Sequence, residues 1–497
     1  MFGRVFINSF VINKMIAVFI DNPYFYLYTF VSHQWIVKTI MINKICKCLV
    51  LFIALIFPSL LPAKKTYVRG QIFHLLTEPD LDKPDSYQWI EDGILIISDG
   101  KIEQIGTWEN LNKNIPIFAE VIHYPDGLIM PGFIDTHTHY PQTDMIAANS
   151  GGDLLHWLNT YTFPFEEKFG DKAYAENTAH FFVEELLRNG TTTALIFTST
   201  QPHTTDAIFF AAEKKNMRII AGKVVTDRNV PAYLLESPEQ AYISSEALIN
   251  KWHHKPNTRL LYAITIRFAP TTSEKMFEKM MQLKQQYPDV YVHTHISETK
   301  DEVEWVKTLY PHEHYLAVYD YYHLLGRNTL LAHGIHLTDP EFKRIAATKT
   351  NLAFCPTSNL FLGSGLFDFN GAQQHGINIG LGTDVGAGTS FSQLQTMNEA
   401  YKVMQLQKQA LSSLNAFYLA TLGGAKALNL DDKLGNFLPG KEADFVVLNI
   451  QGATPLLKRR LAITEQLDDK LFVLMTLADD RSVVATYVAG QRVFTQQ

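Results

Sequence analysis

Apolar and polar residues alternate with a period of two in Tyr67-Val68-Arg69-Gly70-Gln71-Ile72-Phe73, the pattern of a half-buried strand. The alternation returns in Gly93 to Ile97, breaks at the turn signal Ser98-Asp99-Gly100, and resumes from Lys101 to Gly106. This β-rich region ends at Gly127-Leu128-Ile129-Met130-Pro131-Gly132. The far end mirrors it. Phe445-Val446-Val447-Leu448 follows Pro439-Gly440, and Val483 to Val488 meets Arg492-Val493-Phe494 across Ala489-Gly490-Gln491 as a hairpin. The two ends are expected to pair into one small β-domain.

Between them, short apolar runs alternate with segments of helical period. The strand candidates are Phe133 to Asp135, Thr191 to Phe197, Arg218 to Val225, Leu260 to Ile266, Val290 to His295, Thr329 to His333, Asn351 to Cys355 and Ile377 to Leu381. Helices are predicted over stretches such as Ala173 to Arg188, Ser273 to Gln286 and Asp301 to Leu309. Repeated βα units of this number close into a (β/α)₈ TIM barrel. A doubly wound open sheet is the alternative, and no Gly-rich dinucleotide turn opens a helix here. The expected fold is α/β: a barrel over 131–434, flanked by a small β-sandwich domain built from 64–130 and 435–497.

Residues 1–63 stand apart. Residues 1–40 are rich in Phe, Tyr, Ile and Val, and an apolar run from Cys48 to Leu61 precedes Pro62-Ala63-Lys64-Lys65. Read from Met41, the segment has the shape of a secretory signal, and its apolar run is short for a membrane span. A misassigned start or dispensable leader is the favoured reading, with export or tethering as the alternative.

Composition narrows the function classes. The 497 residues are 46% hydrophobic and 19% charged, enough apolar material for a large core. A net charge of -7 gives no reason to expect nucleic-acid binding as the main activity. Cys46, Cys48 and Cys355 are too few and too odd in number for a disulfide framework. They suit a reducing compartment, and the expected localisation is cytoplasmic unless 1–63 acts as a signal or anchor.

The chemistry gathers at strand ends. His137-Thr138-His139 follows the first barrel strand candidate, and side chains two apart on a strand share a side. Both imidazoles can then reach one metal ion, zinc being the natural choice for such a pair, although iron and other first-row metals bind the same groups. His295 ends the fifth strand and offers a third nitrogen. Glu298, three residues on, is placed to face the attacking water. His293 is read as a packed core histidine rather than a rival ligand. His333 ends the sixth strand, and Asp384 ends the eighth in Gly380-Leu381-Gly382-Thr383-Asp384, whose glycines fit a crowded strand end. Barrel enzymes carry their active sites at this carboxyl face. A metal lowers the pKa of bound water from near 15.7 to about 7. Glu298 is then the expected general acid/base, with His333 bonding the attacking oxygen.

These residues resemble the amidohydrolase superfamily and, within it, the guanine deaminases. The resemblance runs from about Thr66 to the C-terminus. It rests on Pro131 to His139, Trp157-Leu158 through Tyr161-Thr162-Phe163-Pro164, Asn189-Gly190-Thr191-Thr192-Thr193 and His295-Ile296-Ser297-Glu298 with Asp301 to Glu304. Cys355-Pro356-Thr357-Ser358-Asn359-Leu360 and Gly380 to Val385 complete it. The resemblance implies one zinc held by His137, His139, His295 and Asp384. It implies Glu298 as proton shuttle with His333 assisting, and Gln142, Trp157, Arg267, Phe268 and Glu298 around the substrate. Guanine offers O6 and N7 as acceptors, and an arginine can address both. Dinuclear relatives carry a carbamylated Lys on the fourth strand, where this chain shows Ile264-Thr265-Ile266-Arg267, so one metal is expected. Lys223, on the third strand, reads as structural.

The expected function is hydrolytic deamination of guanine to xanthine and ammonia in purine catabolism, by attack of an activated water on C2. The resemblance also implies a homodimer. A related aminohydrolase acting on another purine, a pterin or a triazine is the nearest alternative. A non-catalytic scaffold is the alternative from another class.

Overall fold

In a computed structural model that describes residues 65–79, 84–148 and 154–496, both chain ends enter one sheet. The expectation for 1–63 falls outside the described residues. The N-terminal strands are β1 (Lys65–Leu75), β2 (Tyr87–Ser98), β3 (Lys101–Thr107) and β4 (Val121–Pro131). The strands of the barrel are β5 (Phe133–His139), β6 (Thr191–Phe197), β7 (Arg218–Gly222), β8 (Val224–Val225) and β9 (Leu260–Ile266). It continues with β10 (Tyr291–Ile296), β11 (Thr329–His333), β12 (Asn351–Phe354) and β13 (Ile379–Leu381). Last come β14 (Phe445–Asn449), β15 (Val483–Val488) and β16 (Gln491–Thr495).

The terminal sheet has seven strands in the order β16-β15-β14-β4-β1-β2-β3. Its pairings are antiparallel except β1 with β4, which run parallel from Tyr67↔Val121. The sheet rolls until its edge returns on itself: Ile102 N donates to Lys441 O and Gly440 N to Ile102 O, both at 2.8 Å. The roll encloses Val68, Ile72, Leu95, Ile129, Phe445, Val447 and Tyr487, all buried. The alternation seen in β1 has this cause: Val68 and Ile72 face the enclosed core, while Tyr67 joins a second apolar cluster with Ile94 and Ile96.

The barrel sheet runs parallel in the order β5-β6-β7-β9-β10-β11-β12-β13, with β8 extending the third position against β9. The third strand is thus split where one continuous strand was expected. At Gly222 the chain passes so close to β9 that a Cβ would lie 1.6 Å from Ala263 O. Lys223, fully buried between the two pieces, pairs with Glu236. The last seam closes beyond β13, where Asp384 N donates to His137 O and His139 N to Val385 O, each at 2.9 Å. The bonds that shut the barrel are therefore those that bring the first and eighth strand ends together.

The surrounding helices follow from cap and stripe. Lys172–Arg188 starts at Asp171, whose carboxylate accepts from Ala173 N and Tyr174 N. Its buried Ala175, Ala179, Phe182, Val183 and Leu186 recur at helical spacing and face the strands. At the opposite end from the site, Arg259 binds Glu442 at 2.7 Å and Asp444 at 2.8 Å, and Arg218 joins Glu442. Burial raises the Glu442 carboxyl, but the two guanidiniums outweigh it and hold the group below its ordinary range.

Candidate active site

His137 and His139 lie on β5, His295 on β10, and Asp384 just past β13, and their donor atoms lie within 4.8 Å of one another. The closest approaches are tighter. His139 Nε2 is 3.1 Å from His137 Nε2 and 3.3 Å from His295 Nε2, and Asp384 Oδ1 is 3.2 Å and 3.1 Å from His137 and His139 Nε2. Zinc–nitrogen bonds of about 2.0–2.1 Å in a tetrahedron put ligand atoms roughly 3.3 Å apart. The four groups therefore already hold the spacing of a first-row metal cage.

His137 and His295 present Nε2 while Nδ1 is engaged elsewhere. His295 Nδ1 donates to Arg267 O at 2.6 Å. His137 Nδ1 meets His293 Nε2 at 2.7 Å, so the buried His293 does more than pack: it fixes the orientation of the His137 ring. Burial holds His139 down to about 4 and lowers His295 far below the ordinary range, so both are neutral and ready to ligate. Burial alone would raise Asp384, but the imidazoles around it, led by His137, keep its carboxyl well below the usual range.

The backbone here is forced. Asp384 at φ 50°, His333 at φ 72° and Ser297 at φ 46° all take left-handed conformations as their strands end. Such residues cluster at functional sites and cost about 1–3 kcal/mol each. Asp135 anchors the seam: its buried carboxylate accepts from His137 N at 3.2 Å and Thr383 N at 3.0 Å, and from the Thr383 hydroxyl. A Cβ on Gly382 would sit 2.9 Å from His137 Cβ and 2.8 Å from Cys355 Sγ. Gly382→Ala is therefore expected to lower stability by about 1–3 kcal/mol and to weaken metal retention. Denaturant unfolding with metal analysis checks this, and an unchanged unfolding midpoint would refute the packing argument.

Glu298 follows β10 and is 3% exposed. Ser364 Oγ donates to its Oε1 at 3.0 Å, leaving Oε2 3.4 Å from His333 Nε2. Burial, with the charges of Asp384 and Glu302, pushes the Glu298 carboxyl well above its ordinary range. Burial also lowers His333 to about 3, so that ring is neutral.

These groups open on a cavity lined by His139, Gln142, Trp157, Arg267, Phe268 and His333, among others. Gln142 Oε1 accepts from Gly386 N at 3.1 Å, so its amide offers the cavity a donor rather than both functions. Arg267 is 3% exposed, its guanidinium is held by Glu166, and its Nε has no partner. Leu154, Trp157, Leu158, Phe268 and Leu362 form its apolar wall.

The Amidohydrolase family model matches residues 128–493. The chain belongs to the amidohydrolase family. Within the family, it is 54% identical over 419 residues to guanine deaminase of Escherichia coli K12, covering 83% of this chain and 94% of that protein. The solved E. coli guanine deaminase superposes with a TM-score of 0.85 at 52% identity, over 87% of this chain and all (100%) of that one. Guanine deaminase from C. acetobutylicum, solved with guanine bound in its active site, gives a TM-score of 0.78 at 29% identity, with 87% and 100% covered.

In this amidohydrolase the residues picked out from sequence meet in one place. His137, His139, His295 and Asp384 converge, and Gln142, Trp157, Arg267, Phe268, Glu298 and His333 share the cavity. Sequence reasoning missed Glu166, which lies just beyond Phe163-Pro164 but shows no local sign of its pairing with Arg267, 101 residues away. It also missed Ser364, an ordinary loop serine. Asn359 stood inside a recognised motif without a role.

Proposed function

We propose that this chain converts guanine and water to xanthine and ammonia, using one zinc ion held by His137, His139, His295 and Asp384. The observation that carries the reading is the lining of the cavity beside the metal cage. Arg267, fixed by Glu166, and the Gln142 amide both line the cavity alongside the apolar Trp157, Leu158, Phe268 and Leu362. Guanine supplies the matching acceptors, O6 and N7, and the relatives described above are guanine deaminases.

Three imidazoles and a carboxylate are ligands that zinc accepts. Among the described residues no other four-group cluster of this kind is present. The metal supplies Lewis-acid activation of the water nucleophile at neutral pH. The protein does the rest. Glu298 Oε2 takes a proton from the attacking water and passes it to the ring nitrogen beside C2, then takes the proton of the new C2 hydroxyl and delivers it to the departing amine. The C2–oxygen bond forms and the C2–nitrogen bond breaks, releasing ammonia. His333 Nε2 donates to the oxygen on which charge collects. Phe268 and Trp157 hold the ring and keep bulk water out.

A panel of guanine, adenine, adenosine, a pterin and a triazine, followed by ammonia release, tests the assignment. Guanine is expected to be turned over fastest; slower turnover of guanine than of every rival would overturn it. The recognition wall has its own test. Arg267→Met combined with Glu166→Gln, which avoids stranding a buried carboxylate, is expected to lower kcat/KM for guanine about 10–100-fold, the worth of a charged hydrogen bond. An unchanged kcat/KM would remove Arg267 from the substrate.

A further inference from the structure

The segment Cys355-Pro356-Thr357-Ser358-Asn359-Leu360 follows β12 directly and is so far unexplained by the chemistry. Its Asn359 is 1% exposed and lies with its amide Nδ2 3.0 Å from His333 Nδ1. We propose that Asn359 is a positioning residue that fixes the single proton of His333 on Nε2, an inference resting on the deaminase reading above.

The orientation of the amide follows from the other side of the ring. His333 Nε2 faces Glu298 Oε2 at 3.4 Å and Asp384 Oδ2 at 3.9 Å, both acceptors. Attraction to both requires a proton on Nε2. A neutral imidazole carries one proton, so Nδ1 is bare and must accept. The amide of Asn359 therefore presents its NH₂ to Nδ1, and its Oδ1 is left buried without a partner. Leaving a buried amide oxygen unpaired costs stability that an apolar residue of similar size would avoid. The side chain is thus explained by what it does to His333 and not by packing.

The backbone of Asn359 serves the same centre. Its carbonyl accepts from Ser364 N at 2.8 Å, and the Ser364 hydroxyl bonds Glu298 Oε1 at 3.0 Å. One residue thereby sets the His333 tautomer and holds the loop that steadies Glu298. The Nε2–H bond strengthens only as charge grows on the attacking oxygen, so its loss reads out in kcat rather than KM.

The test uses metal-loaded full-length protein labelled with ¹⁵N-histidine, the His333 signals being identified by their loss in His333→Gln. In the unsubstituted protein, Nδ1 is expected to show a bare-nitrogen shift and Nε2 a protonated one. Asn359→Asp puts an acceptor opposite Nδ1 and is expected to move the proton there, lowering kcat about 100-fold or more, as a misplaced acid/base proton does. KM for guanine should move by less than about threefold. Asn359→Leu, which introduces no charge, is expected to give mixed tautomers and a kcat loss of about tenfold, and it carries the decision if the aspartate variant does not fold. A protonated Nδ1 in the unsubstituted protein, or wild-type nitrogen shifts in both variants, would overturn the proposal. The expected shifts in a protein inert on guanine would leave the tautomer assignment standing and overturn the deaminase reading instead.

Discussion

Replacing Glu298 with Gln is expected to lower guanine turnover by about 10³–10⁴-fold while leaving metal content unchanged. Glu298 is not among the four converging donors, so the cage stays whole. Gln keeps the size of the side chain and can still meet Ser364 Oγ. What it lacks is a proton that can be taken up and given back. The environment of Glu298 is built for that exchange: burial and the nearby Asp384 and Glu302 hold its carboxyl well above the ordinary range. A cation held by the neighbouring cage would draw that balance back toward the carboxylate, the form that accepts a proton. KM should change little if the proposed purine contacts are those of Arg267 and Gln142, which line the same cavity. Steady-state kinetics with metal analysis decides the matter. A loss below about tenfold would show that another group moves the proton.

Asp384→Ala should go further and remove both metal and activity. Asp384 Oδ1 is within 3.2 Å of two imidazole nitrogens, while the Glu298 carboxylate is directed at His333 and Ser364 and that of Asp135 at Thr383. Without the ion, the water nucleophile returns from a pKa of about 7 to about 15.7, and turnover is expected to fall by about four orders of magnitude or more. Chelation of the unsubstituted protein should have the same effect, reversed by added zinc. The pH range of reloading is also set. A free histidine is half protonated near pH 6.5, but burial holds His139 down to about 4. The depressed value means the ring is neutral at pH 6 and becomes charged only as pH falls through about 4, so apoprotein should reload at pH 6. Retention of a full complement of metal by Asp384→Ala would show that the carboxylate is not a ligand.

The sequence by itself determined what depends on short spacing. His137 and His139 stand two apart on a strand, which sends both rings to one side whatever the rest of the chain does. Gly380-Leu381-Gly382-Thr383-Asp384 announced a crowded strand end, and Gly382 proves to have no room for a Cβ. The alternation of β1 and the helical stripe of Lys172–Arg188 likewise fixed their elements. Tertiary structure alone decided the partnerships. Glu166 grips Arg267 across 101 residues, and His293 reaches His137 across 156. Gln142 loses its acceptor to Gly386, 244 residues on. No local period encodes these pairs, because each exists only once the barrel closes between β5 and the end of β13. The metal cage lies on that same seam. Its ligand types were legible because strand geometry is local, whereas the groups that orient and tune them come from loops that only the closed barrel brings together.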